Sequence, residues 1–252
     1  MSEGASGAVI AALLRQLRER GESSLFLQDI TAREALGLVR RARQATPASA
    51  PAPRAVPSPA APATSPAASR LAQLAAAAAT CTRCRLCEGR AHVVWGDGPA
   101  GAPVMVVGEA PGAEEDRTGL PFVGPAGKLL DLLLAAVGLP RERVYIGNVI
   151  KCRPPGNRDP KPDEVDACSG HLRDQIDAVE PAALLAVGRF AAQRLMGSES
   201  SLGRLRGRVG AYEGVPVIAT YHPAFLLRSP EFVTTAWEDL QLLRRTVDEG
   251  SR

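Results

Sequence analysis

Three polar side chains, Glu109, Asn148 and His222, stand at or near the ends of short apolar runs. The runs are rich in β-branched residues and bounded by Gly or Pro, which predicts buried strands. Ligands of open α/β sheets bind at the carboxyl ends of the strands, so we expect these three side chains at one sheet edge. A buried amide needs hydrogen-bond partners, and an Asn that faces a pocket can read the donor–acceptor edge of a base. For His222 a structural role stays open, because a single His is more often structural than catalytic.

A second polar group follows the first of these strand ends. Three adjacent acids occupy residues 114–116, directly after the Gly/Pro turn at residues 108–112, and Phe122 stands a few residues later among Gly and Pro. Three acids in a row most often form a solvated turn. Their position beside a strand-end turn also favours a place in the pocket. The sequence leaves both interpretations open.

The five cysteines have a spacing that suits a metal centre. Cys81 and Cys84 form a Cys-x-x-Cys motif, and Cys152 and Cys168 form a second, distant pair. Two such pairs could join the segment before the sheet to the sheet itself through a four-Cys zinc site or an iron–sulfur cluster, and spacing does not choose between them. Cys87 is spare and could replace Cys81 or Cys84. The alternative is buried thiols that act as small hydrophobes, which the neighbouring Arg, Lys and Pro residues disfavour.

The segment after Asn148 is rich in both proline and basic residues. Residues 151–162 include Lys151, Arg153 and Arg158, beside a predicted strand end. A stiff basic loop in this place suits contacts with phosphates. A solvated surface loop is the alternative, and composition alone does not separate the two.

An apolar run follows His222. It consists of Phe225, Leu226 and Leu227, and Arg228 comes next. The run is either the first turn of a buried helix or a wedge that enters a base stack when a nucleotide is extruded.

The elements that must position these groups alternate between strand and helix. The predicted strands are residues 104–107, 144–150, 183–187 and 215–220, and the predicted helices are residues 125–137, 162–179, 189–196 and 230–247. This alternation predicts βαβ units and a mainly parallel sheet covered on both faces. We therefore expect an α/β fold of three layers, α/β/α, around a four-stranded sheet.

The chain divides into three segments by composition. We expect a helical arm over residues 1–43, a disordered Ala/Pro-rich linker over 44–70 and one domain over 71–249. The arm is either a weakly folded extension or a docking site for a protein partner. The net charge of +3 is mild, and neither a membrane span nor a secretory signal is recognisable, so we expect a cytoplasmic protein without a membrane partner.

Four motifs, taken together, resemble those of the family-4 uracil-DNA glycosylases, the iron–sulfur members of their superfamily. The motifs are GEAPG at 108–112, PFVG at 121–124, NVIKCRPP at 148–155 followed by Asn157 and Arg158, and HPA at 222–224 followed by LLR at 226–228. Their order and spacing make the resemblance specific. It covers residues 81–245 and does not extend to residues 1–70.

The resemblance implies a four-stranded parallel sheet between helices and a structural [4Fe–4S] cluster. By motif position the cluster ligands are Cys81, Cys84, Cys152 and Cys168, while Cys87 stays unassigned. Zinc is the alternative occupant.

The resemblance also implies that uracil is flipped out of DNA into the pocket. Phe122 would stack on the uracil ring, and Asn148 would form hydrogen bonds with the imide edge of uracil. Cytosine presents the opposite pattern of donors and acceptors at this edge and would be rejected. Backbone N–H groups near Ala110 would help to hold the base. Glu115 would crowd the C5 side and exclude the methyl group of thymine.

The resemblance assigns the chemistry to two side chains. Glu109 would position or activate the water that attacks C1′, and His222 would donate a hydrogen bond to uracil O2 as charge builds on the departing base. The remaining motif residues would contact DNA. Phosphate contacts would come from Lys151, Arg153 and Arg158, and the vacated gap would be filled or flanked by Phe225, Leu226, Leu227 and Arg228.

We therefore expect a monomeric, monofunctional uracil-DNA glycosylase of base excision repair, bacterial and nucleoid-associated during repair. Residues 151–162 lack the His-bearing insertion of a covalently reacting offshoot, so ordinary turnover is expected. Two alternatives stay open. One is a uracil-DNA binder or sensor with little turnover, which recruits a repair or replication partner through residues 1–43. The other is a zinc-stapled nucleic-acid-binding module without catalysis.

Overall fold

A computed structural model describes residues 65–250 of the chain, and five strands in this part form one sheet. The strands are β1 (Val104–Gly108), β2 (Val144–Asn148), β3 (Ala183–Val187), β4 (Val209–Tyr212) and β5 (Val215–Thr220). Their order is β2-β1-β3-β5-β4. The first four in this order pair in parallel, and β4 pairs with β5 antiparallel.

Helices cover both faces of this sheet. They are α1 (Pro66–Ala79), α2 (Ala113–Thr118), α3 (Pro125–Ala136), α4 (Pro162–Val179), α5 (Arg189–Met196), α6 (Leu202–Leu205), α7 (Pro223–Leu226) and α8 (Val233–Gly250). Short 3-10 turns lie at Arg85–Glu88, Arg141–Arg143, Pro155–Asn157 and Pro230–Phe232. Within residues 65–250, no helix has the length and apolar composition needed to cross a membrane.

Two apolar cores lie on opposite faces of the sheet. On one face, alternate strand residues such as Met105 and Leu184 pack with α1, α4 and α5. On the other face, residues such as Val106 and Leu185 pack with α3 and α8. Strands β1, β2 and β3 are buried along their whole length, which is the behaviour of parallel strands covered by helices on both sides.

The predicted three-layer α/β/α fold is confirmed, with one correction to the strand count. The sheet has five strands, one more than the four predicted, and the additional strand is β4. This strand lies at the sheet edge, where its residues alternate between exposed and half-buried, and Val209 is 49% exposed. An edge strand that buries so little apolar surface lacks the uninterrupted apolar run by which its neighbours were recognised.

Two local predictions also differ from the structure. The acids at 114–116 lie in the first turn of α2, not in a turn between elements. Helix α1 begins at Pro66, within the end of the expected linker, because Ser65 caps it and Pro suits the first helical turn. The expected arm over 1–43 and residues 44–64 lie outside the described residues.

Candidate active site

A cavity of about 470 Å³ opens at the carboxyl ends of the parallel strands. The sequence-predicted residues that line it are Glu109, Ala110, Glu115, Phe122, Asn148, Arg158, His222 and Arg228. They come from the ends of β1, β2 and β5 and from the segments that follow these strands. The parallel pairing places these strand ends along one edge, as expected.

The side-chain oxygen of Asn148 has no hydrogen-bond partner inside the protein, and Asn148 lines this cavity. Asn148 is the last residue of β2 and is 1% exposed, and its Oδ1 atom makes no hydrogen bond. The space in front of it exists because Gly108 has no side chain. A Cβ atom at Gly108 would overlap Oδ1 and would lie 2.7 Å from Cζ of Phe122. A buried acceptor that lacks a partner marks a place for a ligand.

The aromatic wall of the cavity is Phe122, in an unusual backbone conformation. Its φ is 53°, in the left-handed region that residues other than Gly rarely adopt. Phe122 is 7% exposed, and the centroid of its ring lies 5.8 Å from that of the His222 ring at an interplanar angle of 33°. The ring can therefore serve as a stacking surface for a flat ligand that enters the cavity.

His222 is held in one tautomer. Burial lowers the pKa of His222 to about 4, with the charge of Arg228 acting in the same direction and that of Glu115 opposing it. The ring is therefore neutral at neutral pH. Because Nδ1 accepts a hydrogen bond from the N–H of Ala224 over 3.1 Å, the proton of the neutral ring lies on Nε2. His222 thus presents a neutral N–H donor.

Glu109 is half-buried at the start of the segment that follows β1. Burial raises the pKa of its carboxyl group, the charge of Asp159 adds to the shift, and Arg189 opposes it. Arg189 in turn lies 3.3 Å from Asp159. A carboxylate that is less acidic than one on the surface is a better proton acceptor near neutral pH.

Glu115 ties two segments of the cavity wall together. One of its carboxylate oxygens accepts hydrogen bonds from the N–H groups of Val123 at 2.9 Å and Gly124 at 3.1 Å. The other accepts from Gly112 N–H at 3.1 Å and closes the first turn of α2. The solvated-turn interpretation fits only its neighbour Glu114, which is exposed and pairs with Arg117.

Lys151 corrects a sequence prediction. Its side chain is 1% exposed, so the expected contact with a DNA phosphate is wrong. Its Nζ atom donates to the backbone carbonyl of Asn148 at 2.7 Å and to the side-chain oxygen of Gln175. It also lies 5.6 Å from the centre of the Trp95 ring. Two buried acceptors and the face of an aromatic ring account for the burial of a charge that composition alone places at the surface.

The other predicted DNA contacts divide in the same way. Leu226, the last residue of α7, is buried in the protein and only 2% exposed, so its expected role as a wedge is also wrong. Leu227 is half-buried and Arg228 is exposed. Arg158 makes a bidentate ion pair with the buried carboxylate of Glu164, at 2.6 and 2.9 Å.

Arg153 lies in the same loop, outside the lining of the cavity. It is half-buried, and its Nε atom donates to Asn157 Oδ1 at 2.9 Å.

A second, smaller cavity brings four of the five cysteines together. Its lining includes Cys81, Cys84, Cys152 and Cys168, and Cys87 is not part of it. Burial raises the pKa of Cys152 to about 11, and it also raises the pKa of Cys84 and Cys168. Within the described part of the chain, no three His, Cys, Asp or Glu side chains are arranged to hold a single metal ion.

Two basic side chains border the sulfur atoms of this cavity. Arg90 Nη1 donates to Cys152 Sγ at 3.3 Å, and Nε2 of His171 lies 3.4 Å from Cys81 Sγ. The Arg90 guanidinium, a charged donor at this range, stabilises negative charge on the Cys152 sulfur.

Sequence reasoning missed the buried polar network behind Asn148. Gln175, which is fully buried, accepts from Lys151 and donates to the carbonyl of Trp95 at 2.7 Å and to the hydroxyl of Tyr145 at 3.1 Å. A Gln on the apolar face of a predicted helix is the one available signal, because such a residue needs buried partners.

Comparisons with known proteins agree with this geometry. Residues 95–241 match the model of the uracil DNA glycosylase superfamily. The chain is 46% identical over 157 residues to a type-4 uracil-DNA glycosylase of Archaeoglobus fulgidus, covering 59% of this chain and 79% of that protein. It is 44% identical over 164 residues to a type-4 uracil-DNA glycosylase of Thermotoga maritima, covering 64% and 85%. A type-5 uracil-DNA glycosylase of Pyrobaculum aerophilum is 37% identical over 154 residues, which cover 54% of this chain and 66% of that protein. The chain therefore belongs to the uracil DNA glycosylase superfamily and, within it, to the type-4 family.

Proposed function

We propose that this protein is a uracil-DNA glycosylase, which hydrolyses the bond between uracil and deoxyribose in DNA and leaves an abasic site. The observation that carries the proposal is the unpartnered Oδ1 atom of Asn148, buried at the end of β2 and facing the cavity beside the ring of Phe122. The names of the type-4 relatives support the same substrate.

Uracil enters the cavity as a flipped base, because its glycosidic bond is out of reach inside the duplex. Phe122 stacks on its ring. Asn148 accepts from N3–H through Oδ1 and donates from its amide nitrogen to O4. Cytosine lacks that N3–H and carries an amino group in place of O4, so it would leave the buried amide mispaired. Glu115 shapes the cavity by holding its wall in place, because both of its carboxylate oxygens already accept hydrogen bonds from backbone N–H groups.

The reaction breaks the C1′–N1 bond and forms a bond from water to C1′. Glu109 positions the water and takes its proton, which the raised pKa of this carboxyl group favours. The electron pair of the broken bond leaves with uracil. His222 donates from Nε2 to uracil O2 and stabilises that charge without protonating the base, since its pKa is about 4.

DNA reaches the cavity along its basic border. Arg153, Arg158 and Arg228 contact phosphates, and Arg158 keeps enough exposure to do so, with 35% of its side chain accessible beside Glu164. Leu227 flanks the gap that the flipped nucleotide leaves. Lys151 and Leu226 take no part in this surface because they are buried.

We also propose that Cys81, Cys84, Cys152 and Cys168 hold a [4Fe–4S] cluster. Four thiols around one cavity, with Arg90 and His171 beside them, form a donor set that suits it. The ligands of a cluster surround a cube of iron and sulfide, so they need not converge on a single point as the ligands of zinc do. When bound, the cluster supplies a cross-link between residues 81–84, the loop after β2 and helix α4, and no step of the hydrolysis passes through it.

The test is excision from an oligonucleotide with one uracil by protein purified without oxygen. Glu109→Ala and Asn148→Ala are compared with Glu114→Ala, a matched control because Glu114 is exposed and its ion pair contributes little. We expect abasic product from the wild type and the control, and losses of about a hundredfold or more from the two pocket variants. Tight uracil-dependent binding without product would instead favour the sensor alternative. A wild type with neither activity nor uracil preference would contradict the proposed function.

A further inference from the structure

Arg141 holds the loop that carries Phe122, although it does not line the cavity. It lies in the turn Arg141–Arg143 before β2, and 26% of its side chain is exposed. Its Nη2 atom donates to the carbonyl of Pro121 at 2.7 Å, and its Nη1 atom donates to the carbonyl of Phe122 at 3.1 Å. Nη1 also lies 3.1 Å from Asp131 Oδ1, which fixes the guanidinium group from the other side.

The loop needs such support because Phe122 has a positive φ of 53°. Non-glycine residues in this region persist where their surroundings determine the conformation. The neighbouring helix makes room for it at Gly127, where a Cβ atom would overlap the carbonyl oxygen of Phe122. The absence of a side chain at Gly127 thus leaves room for the positive φ of Phe122, and hydrogen bonds to the loop stabilise it.

Two charged groups act on opposite sides of Phe122. Arg141 bonds the carbonyls of Pro121 and Phe122, and Glu115 accepts from the N–H groups of Val123 and Gly124. The peptide group between Phe122 and Val123 is therefore held at both its oxygen and its nitrogen. Hydrogen bonds to charged groups are stronger than neutral ones and fix orientation well when an Arg makes two of them.

We propose that Arg141 is a positioning residue for base recognition: together with Glu115 it clamps Phe122 in its left-handed conformation, so that the ring is in place before a base enters. This inference rests on the proposed function, in which Phe122 stacks on uracil. A stacking surface that is fixed in advance loses less conformational entropy on binding and holds the base at a defined distance from Glu109.

The first test is a double-mutant cycle measured by single-turnover excision of uracil. Arg141→Met, Arg141→Lys and Phe122→Ala are compared, with Arg143→Met as the matched control because Arg143 is exposed in the same turn. We expect Arg141→Met to lower the rate by about tenfold or more. Arg141→Lys should fall between it and the wild type, because one ammonium group cannot hold both carbonyls in a fork.

The cycle separates positioning from general destabilisation. If Arg141 acts through Phe122, adding Arg141→Met to Phe122→Ala should change the rate by less than about twofold. The same loss in both backgrounds would overturn the inference, as would a wild-type rate in Arg141→Met. If Arg141→Met does not fold, Arg141→Lys is carried through the same cycle and is read in the same way.

Amide hydrogen exchange tests the clamp without any activity. We expect the N–H groups of Val123 and Gly124 to exchange faster in Arg141→Met than in Arg143→Met. Unchanged exchange in an active protein would overturn the clamp and leave the proposed function intact. Faster exchange in Arg141→Met, together with a wild type that excises no uracil, would support the clamp and refute the proposed function.

Discussion

Lys151 donates a hydrogen bond from Nζ to the backbone carbonyl of Asn148 over 2.7 Å, and both residues are 1% exposed. Asn148 lines the cavity at the strand ends, and Lys151 lines the cavity of the four cysteines. This buried hydrogen bond therefore connects the lining of one cavity to the lining of the other. Burial lowers the pKa of Lys151 to about 8, with the charge of Cys168 opposing the shift. This contact fixes the end of β2, where the amide that we propose reads the base is attached.

Replacement of this buried cation should weaken both the fold and excision. Lys151→Met keeps the length of the side chain but leaves the Asn148 carbonyl and the Gln175 oxygen without their donor. Each buried acceptor left unpaired costs about 1–3 kcal/mol, and part of this is offset because a charge no longer has to be buried. We expect urea denaturation to show a loss of about 1–3 kcal/mol in unfolding free energy. Lys128→Met, at an exposed position, is the control, and equal stabilities for the two variants would argue against the contact.

A methyl group at Gly108 should block the pocket. In Gly108→Ala the new Cβ atom would overlap Asn148 Oδ1 and lie 2.7 Å from Cζ of Phe122, so both side chains would have to leave their positions and move into the cavity. We expect uracil excision to fall by about a hundredfold or more. Gly203→Ala, in α6, has no atom within 4 Å of its added Cβ and should excise uracil at the wild-type rate. Full activity in Gly108→Ala would show that uracil does not occupy this space.

The pH dependence of single-turnover excision should report Glu109 and not His222. Glu109 must be ionised to take a proton, and its pKa is raised by burial, so the rate should fall as the pH falls through that raised pKa. His222 has a pKa lowered to about 4, so it stays neutral from there upward and should produce no inflection near pH 6.5. The measurement is the rate from pH 4.5 to 8 for the wild type and His222→Gln. An inflection near pH 6.5 that disappears in His222→Gln would contradict a neutral donor.

Removal of a cysteine should lower the iron content only where that cysteine lines the cysteine cavity. Cys168→Ala removes a thiol from the cysteine cavity, whereas Cys87→Ala removes one outside it. For protein purified without oxygen, we expect iron and acid-labile sulfide to be retained in Cys87→Ala and largely lost in Cys168→Ala. Zinc in place of iron in the wild type would favour the alternative centre. Equal iron contents in the two variants would contradict the assigned ligands.

The sequence alone determined four of the five strands and the three polar side chains at their carboxyl ends. Apolar runs bounded by Gly and Pro located β1, β2, β3 and β5, because strands buried on both faces consist almost entirely of apolar residues. Parallel strands bring their carboxyl ends to one edge, so Glu109, Asn148 and His222 could be placed together before any contact was known.

Only the tertiary structure decided which charged and apolar side chains are inside. Lys151 is buried because Asn148 and Gln175 supply acceptors, and Leu226 is buried because α7 turns it inward. Arg141 reaches a loop about twenty residues earlier in the chain and bonds its carbonyls. A residue type fixes which bonds a side chain can make, but distant segments fix its partners, because burial of a polar group depends on the groups that the fold brings to it.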